Sequence, residues 1–228
     1  MSARVAVFGT ARSGKDHAIV TAMRLLSRRG IRSAHASPVG VLREVLAGEP
    51  LAGMDDTRKA RAVEEARGLM LRMDTDGVLL ADEHYCFPST YGGRRLGGSY
   101  YGEKLPFCLE GGAEGRSYEV VFEDRWMAYY DAAVYMETNP EVVVKRFHES
   151  DGGKANWFVT EEDVRLWQLF EIAHIQRLCG ARGVPLFYVY GADEEGEVET
   201  IISHCLKRPG PDADGNEPGR RAGRRRSW

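Results

Sequence analysis

Short apolar runs alternate along this chain with longer stretches whose apolar residues recur every three or four positions. The short runs predict strands, and the longer periodic stretches predict helices. The predicted strands cover residues 4–8, 31–37, 77–82, 132–136 and 186–190. The predicted helices cover residues 15–29, 39–47, 57–73, 160–179 and 194–206, with one more that begins near Pro140. Because strands that alternate with helices favour a parallel sheet covered on both faces, we predict an α/β fold with about five parallel strands.

The predicted helix that follows Thr160 has a clear start and a long apolar stripe. Thr160 fits an N-cap, since its hydroxyl can accept from a free backbone N–H and acidic residues follow in the first turn. The stripe that we expect to pack in the core comprises Val164, Trp167, Leu169, Phe170, Ile172, Ala173 and Ile175.

The remaining segments lack this regular pattern. Residues 86–118 are rich in glycine and tyrosine and are interpreted as an insert or substrate loop, while 119–122 fit either a strand or the end of a helix. A basic stretch with glycines at 146–157 is typical of a short lid. We therefore predict one domain over residues 1–208, followed by a tail at 209–228.

Charge is distributed unevenly between that domain and the tail. The chain carries a formal net charge of -3, but residues 209–228 hold five arginines against two aspartates and one glutamate. The tail is therefore about +2 and the rest about -5. Its glycine, proline and arginine content predicts a disordered segment, and an arm that binds nucleic acid is the alternative.

Composition excludes several classes of protein. No window of the 228 residues approaches 18 uncharged apolar positions, so no membrane helix is predicted. The first residues lack the pattern of a secretory signal peptide. The four cysteines are far apart and form no paired motif, so neither a disulfide framework nor a zinc site is indicated. We expect a reduced, cytoplasmic protein with no membrane partner.

The strongest motif follows the first strand and opens the first helix. It comprises Gly9, Thr10, Ala11, Arg12, Ser13, Gly14, Lys15 and Asp16. Glycines let the backbone turn so that several N–H groups and the helix N-terminus point at one anion. Lys15 adds a positive charge for the outer phosphates, and Asp16 stands where the usual motif has a magnesium-binding hydroxyl. The motif predicts nucleotide binding, with Arg12 facing either the transferred phosphoryl group or solvent.

The run from Arg12 to Asp16 resembles the phosphate loops of phage-type deoxynucleoside monophosphate kinases and animal-type phosphomevalonate kinases. Residues 78–85, 131–146 and 188–193 resemble segments of the P-loop nucleoside monophosphate kinase group, thymidylate kinases in particular. The resemblance spans roughly residues 4–206, although the 86–118 insert matches no segment of that group. It implies a P-loop kinase fold that uses ATP and Mg²⁺.

This resemblance, together with the residue types, suggests roles around the phosphates. Asp82, at the carboxyl end of a predicted strand, is expected to bind magnesium through water or to accept the acceptor proton, and Asp16 is the second metal ligand. Glu83 competes with Asp82 for the role of base, and loop solvation is the alternative for both. Arg146 is expected to act on the phosphates from the lid, and Ala192 to lie at the adenine.

Four residues are candidates for binding the acceptor. Arg43 lies in the predicted helix after the second strand, Tyr85 follows the Asp82 strand, and Lys154 lies in the lid. Arg125 belongs to an Asp-Arg-Trp run that fits either an acceptor clamp or a surface ion pair.

These observations predict an ATP- and Mg²⁺-dependent enzyme that moves the γ-phosphoryl group to a small molecule. The expected acceptor is a nucleotide or nucleoside, most simply a (deoxy)nucleoside monophosphate. A non-nucleotide phosphorylated metabolite is the alternative acceptor, and nucleic acid is a less favoured one. A nucleotide-binding regulatory module without transfer chemistry is the alternative from another class. The sequence is compatible with a homodimer.

Overall fold

The computed structural model describes residues 3–47, 49, 54–73, 76–88, 90–91, 94–95, 104–107, 116–150, 160–190, 196 and 198. Within these residues the strands are β1 (Ala3–Phe8), β2 (Ser33–Ala36), β3 (Val78–Asp82), β4 (Cys86–Pro88), β5 (Thr90–Tyr91), β6 (Arg94–Arg95), β7 (Lys104–Phe107), β8 (Arg116–Val120), β9 (Ala132–Glu137) and β10 (Leu186–Tyr190). The helices are α1 (Lys15–Arg28), α2 (Pro38–Val45), α3 (Asp56–Arg72), α4 (Pro140–Ser150) and α5 (Glu161–Arg182), with a 3-10 helix at Asp124–Tyr129.

The main sheet has five parallel strands in the order β10-β9-β1-β3-β2. The central strand β1 pairs with β3 on one side, where Val7 is in register with Asp82, and with β9 on the other. Because the strands are parallel, their carboxyl ends lie along one edge, where open α/β sheets bind ligands. The predicted α/β class with a five-stranded parallel sheet is confirmed.

One face of this sheet packs against α1. Val5 and Val7 of β1 and Leu80 of β3 are buried together with Ile19 and Leu26 of α1. Val5 and Val7 are two positions apart along β1, so their side chains lie on the same face of the sheet. The same alternation places the side chain of Asp82 on this face, at the end of β3.

The opposite face packs against the other helices. Ala6 and Phe8 of β1 share a core cluster with Met70 of α3, Val143 of α4 and Trp167 of α5. The sheet is therefore covered by helices on both faces.

Helix ends follow local sequence signals. Gly30 terminates α1 with a φ of 70°, a left-handed conformation that glycine adopts at little cost. The predicted N-cap of α5 is present as a capping box, in which Thr160 and Asp163 each accept from the other's backbone N–H. Pro140 is the first residue of α4, where its missing N–H is not needed.

Several boundaries differ from the sequence prediction. β2 is shorter than the predicted 31–37, and the undecided segment 119–122 begins as the end of β8. The 3-10 helix was not predicted. In α5, Leu169 and Ala173 are exposed although the stripe placed them in the core. The buried face of α5 instead includes Gln168 and Glu171.

The 86–118 segment joins the core at both of its ends. β4, β8 and β7 form an antiparallel sheet. Cys86 is buried, and Tyr118 stacks on Phe170 of α5 with ring centroids 4.5 Å apart. The predicted insert is thus anchored by apolar contacts to α5 where it leaves and rejoins the domain.

Two predicted segments, the lid beyond residue 150 and the tail at 209–228, lie outside the described residues. Of the predicted last helix, residues 196 and 198 are described and are helical. No helix in the described part of the chain has both the length and the apolar character needed to cross a membrane.

Candidate functional site

The phosphate loop connects the end of β1 to the start of α1 with an unusual backbone. Gly9, Arg12 and Gly14 have φ angles of 150°, 67° and 107°. A Cβ atom at Gly9 would lie 2.8 Å from Ser13 Oγ and 3.0 Å from the carbonyl oxygen of Met136. The loop therefore requires glycine at position 9, both for the backbone angle and for the close approach of neighbouring atoms.

Lys15 is folded back into this loop. Its Nζ donates hydrogen bonds to the carbonyl oxygens of Gly9 at 2.9 Å and Thr10 at 3.2 Å. Asp82 Oδ1, at the end of the neighbouring strand β3, lies 3.7 Å from the same nitrogen. Burial lowers the pKa of Lys15, and the negative charge of Asp82 opposes that shift. The loop thus holds a buried ammonium group directly beside a carboxylate.

Three polar atoms around this ammonium group are buried and make no hydrogen bond within the described part of the chain. They are Thr10 Oγ1, Ser13 Oγ and Asp82 Oδ1. Buried hydroxyl and carboxylate oxygens nearly always have partners. A phosphate chain and its metal ion would supply such partners, so these atoms fit the predicted occupants, ATP and Mg²⁺.

Side chains that lie far away in the sequence donate hydrogen bonds to carbonyl oxygens of the phosphate loop. Thr138 Oγ1 donates to the carbonyl oxygen of Ser13 at 2.6 Å, and Gln168 Nε2 donates to the carbonyl oxygen of Thr138 at 2.7 Å. Arg146 Nη1 donates to the carbonyl oxygens of Arg12 and Ser13, both at 3.0 Å. The loop is therefore tied to β9, α4 and α5, with the side chain of Arg146 lying against it.

A cluster of metal-ligating side chains lies next to Lys15. One ligand atom from each of Asp16, His35 and Asp82 lies within 4.8 Å of the other two. Burial raises the pKa of Asp82, while the charge of Lys15 acts in the opposite direction. The structure therefore brings together the two carboxylates that were predicted to bind metal and adds the imidazole of His35.

Glu83 lies on the opposite face of the sheet from Asp82. Its carboxylate is fully buried, forms an ion pair with Arg67 of α3 and accepts a hydrogen bond from the hydroxyl of Tyr130. The Arg67 guanidinium in turn lies 4.2 Å from the ring centroid of Trp126. Burial raises the pKa of Glu83, and Arg67 opposes the shift. This placement argues against the predicted role as base, because successive strand residues point to opposite faces.

Two predicted acceptor ligands have other partners. Tyr85 is 2% exposed, and its ring stacks on His174 with centroids 5.3 Å apart. Such burial leaves little room for contact with an acceptor, so this placement argues against the predicted role. Arg125 is exposed and pairs with Glu64 at 2.6 Å and with Glu123 at 2.7 Å, which corresponds to the alternative of a surface ion pair.

The other predicted site residues are placed as follows. Arg43 is exposed in the last turn of α2, and Arg12 and Asp16 are exposed at the phosphate loop and the start of α1. Lys154 and Ala192 lie outside the described residues.

One buried carboxyl that the sequence analysis did not identify lies close enough to Lys15 for the two charges to interact. Glu171 of α5 is fully buried and accepts a hydrogen bond from the hydroxyl of Tyr135 at 3.1 Å. Burial raises the pKa of Glu171 to about 7, although the charge of Lys15 lowers it. The available signal was a polar residue inside an apolar helical stripe. Glu171 lies four positions after Trp167 and four before Ile175, both fully buried.

Comparison with known proteins gives limited similarity. No family model matches the chain, and no curated protein matches it. A candidate kinase from Chloroflexus aurantiacus is 12% identical, with 90% of this chain and 96% of that chain covered and a TM-score of 0.47. A shikimate kinase from Acinetobacter baumannii, in complex with shikimate, is 12% identical, with coverages of 90% and 94% and a TM-score of 0.45.

Proposed function

We propose that this protein is an ATP- and divalent-metal-dependent phosphotransferase that moves the γ-phosphoryl group to a small-molecule acceptor. The observation that supports the proposal is the geometry of Lys15. Its ammonium group is buried in a glycine-containing loop between β1 and α1 and lies 3.7 Å from a carboxylate oxygen of Asp82. This arrangement places a cation for phosphate next to a carboxylate for metal or for the acceptor proton.

ATP would be held mainly by the backbone of residues 9–16. The first N–H groups of a helix have no partner within that helix, and the helix dipole favours negative charge there. Lys15 would exchange its carbonyl partners for phosphate oxygens, and the hydroxyls of Thr10 and Ser13 would gain partners. Ala192 is the residue that we propose to lie at the adenine of ATP.

Asp16 and Asp82 would hold the divalent ion. A bound Mg²⁺ neutralises charge on the phosphate oxygens and orients them for transfer. In the alternative arrangement, Asp16 holds the ion and Asp82 accepts the proton of the acceptor hydroxyl or phosphate. Arg146 would stabilise charge on the transferred group, since it already lies against the loop.

The acceptor that we place first is a (deoxy)nucleoside monophosphate. Support comes from the four sequence segments that resemble nucleoside monophosphate kinases, distributed from Arg12 to residue 193. A non-nucleotide phosphorylated metabolite is the second candidate, because the 86–118 insert resembles no part of those enzymes. Arg43 and Lys154 are the basic side chains proposed to bind the acceptor.

A coupled ADP-release assay over a panel of acceptors tests this proposal. The panel contains nucleoside monophosphates, nucleosides, hydroxy acids and phosphorylated alcohols, each with ATP and a divalent ion. We expect release of ADP that depends on one acceptor class and that is abolished in Lys15→Ala. Equal ADP release with and without every acceptor would contradict a transferase and favour a regulatory nucleotide-binding module.

A further inference from the structure

His35 is brought to the metal cluster by the pairing of β2 with β3. In that register His35 lies opposite Leu80, and Leu80 is two positions before Asp82 on the same face of the sheet. Asp16 reaches the same place from the first turn of α1, which packs on that face. Three different elements therefore converge on one point at the carboxyl edge of the sheet.

The ligand atoms of this cluster differ from those of a typical Mg²⁺ site. One ligand atom from each of Asp16, His35 and Asp82 lies within 4.8 Å of the others. Two carboxylates and one imidazole offer two oxygens and one nitrogen. Carboxylate and water suit Mg²⁺, whereas imidazole suits first-row transition-metal ions.

The cluster is accessible from solvent on the side of Asp16 and His35. The side chains of Asp16 and His35 are exposed, so an ion can reach them from solvent. Asp82, whose side chain is 17% exposed, closes the inner side of the cluster, and its buried Oδ1 atom makes no hydrogen bond within the described residues. Lys15 is the nearby cation, and its charge is offset by Asp82 and Glu171.

We propose that Asp16, His35 and Asp82 form a binding site for a divalent transition-metal ion, with His35 as its nitrogen ligand. The inference rests on the proposed function in one respect, namely that the ion would serve the nucleotide bound at the same loop. An imidazole binds a metal ion in its neutral form, so the negative charge that offsets the ion would come from the two carboxylates. Because an imidazole nitrogen suits the later first-row ions, the site would bind an ion such as Co²⁺ more tightly than Mg²⁺.

Metal binding without nucleotide tests this inference separately from phosphoryl transfer. The full-length protein, free of any polyhistidine tag, is titrated with Co²⁺ and with Mg²⁺ by calorimetry, and the visible absorption of bound Co²⁺ is recorded. We expect His35→Gln to weaken Co²⁺ binding about tenfold or more and to change the Co²⁺ spectrum. Mg²⁺ binding should change less than about threefold, since Mg²⁺ gains little from an imidazole.

His148→Gln is the matched control, because His148 is an exposed histidine on α4. This variant should bind Co²⁺ with the affinity and spectrum of the unmodified protein. The inference is overturned if His35→Gln binds Co²⁺ as tightly as the unmodified protein does, or if the unmodified protein binds no Co²⁺ at all. If Co²⁺ binding depends on His35 but no acceptor is phosphorylated, the metal site stands and the proposed function fails.

Discussion

The hydroxyl of Thr138 donates a 2.6 Å hydrogen bond to the carbonyl oxygen of Ser13, which joins the end of β9 to the phosphate loop. The backbone of Thr138 is itself held by Gln168 of α5. Both hydrogen bonds are buried, so water does not compete for them. The conformation of the loop thus depends on two elements that are more than 120 residues away in sequence.

We expect Thr138→Val to destabilise the protein and weaken ATP binding. The change removes the donor to Ser13 but keeps the shape of the side chain, so the expected loss is about 1–2 kcal/mol in the free energy of unfolding. Urea unfolding and calorimetric titration with ATP measure the two effects. Thr138→Ser keeps the hydroxyl and should retain most of both; equal losses in the two variants would show that the hydrogen bond is not the cause.

Arg146→Ala should reduce the rate of phosphoryl transfer. Arg146 donates to the carbonyl oxygens of Arg12 and Ser13, and we propose that it stabilises charge on the transferred group. Loss of one such donor typically lowers kcat about 100-fold, and steady-state kinetics measure the loss. Lys145→Ala is the control, because it removes an exposed positive charge from the neighbouring position. The Nζ atom of Lys145 lies 3.8 Å from Glu149 Oε1. An unchanged kcat in Arg146→Ala would contradict the proposed role.

Glu83→Gln should affect stability strongly. The substitution leaves the Arg67 guanidinium buried without its counter-charge, which typically costs about 3–5 kcal/mol. The free energy of unfolding in urea measures the effect. Glu64→Gln is the control, because it removes the charge of an exposed ion pair with Arg125. Exposed ion pairs contribute little to stability, so the unfolding midpoint should stay unchanged. Similar midpoints for Glu83→Gln and the unmodified protein would contradict the structural role assigned to Glu83.

The buried carboxyl of Glu171 predicts a dependence of stability on pH. Its pKa is raised to about 7 in the folded protein, so between the unfolded value and about 7 the folded state binds more protons than the unfolded state. The contribution of Glu171 to stability is therefore present at low pH and is lost as the pH rises through this window, by up to about 3 kcal/mol.

Glu171→Gln keeps the neutral shape and removes this titration. Urea unfolding of the variant and the unmodified protein at pH 5 and pH 8 isolates the effect from other titrating groups. We expect the variant to gain stability relative to the unmodified protein on going from pH 5 to pH 8. A constant difference between the two proteins at both values would refute the assignment.

The elements of the fold were largely predictable because their signals are local. β10 has the predicted bounds. The helix α1 begins at Lys15, as predicted, directly after Gly14 of the phosphate loop. Pro140 and Thr160 start their helices through their own backbone and side-chain chemistry. The glycines and Lys15 identified the phosphate loop for the same reason, since the whole motif lies within eight consecutive residues.

The partners of the site were not predictable from local signals. His35 reaches Asp82 only through the register of β2 on β3, and Thr138 reaches Ser13 only through the order of strands in the sheet. Glu83 resembles a catalytic carboxylate in the sequence, because its buried ion pair with Arg67 of α3 is not visible there. Pairing between distant strands is a tertiary property, and the period of apolar residues does not specify it.

The most direct test of the proposed activity follows the γ-phosphate of ATP itself. The protein is incubated with ATP labelled at the γ-phosphate, a divalent ion and the acceptor panel, and the products are separated by chromatography. We predict that label moves to one organic acceptor class and that Lys15→Ala lowers this transfer at least about 100-fold. Label found solely in ATP and inorganic phosphate, or equal transfer by Lys15→Ala, would contradict the assignment of this site as a phosphotransferase.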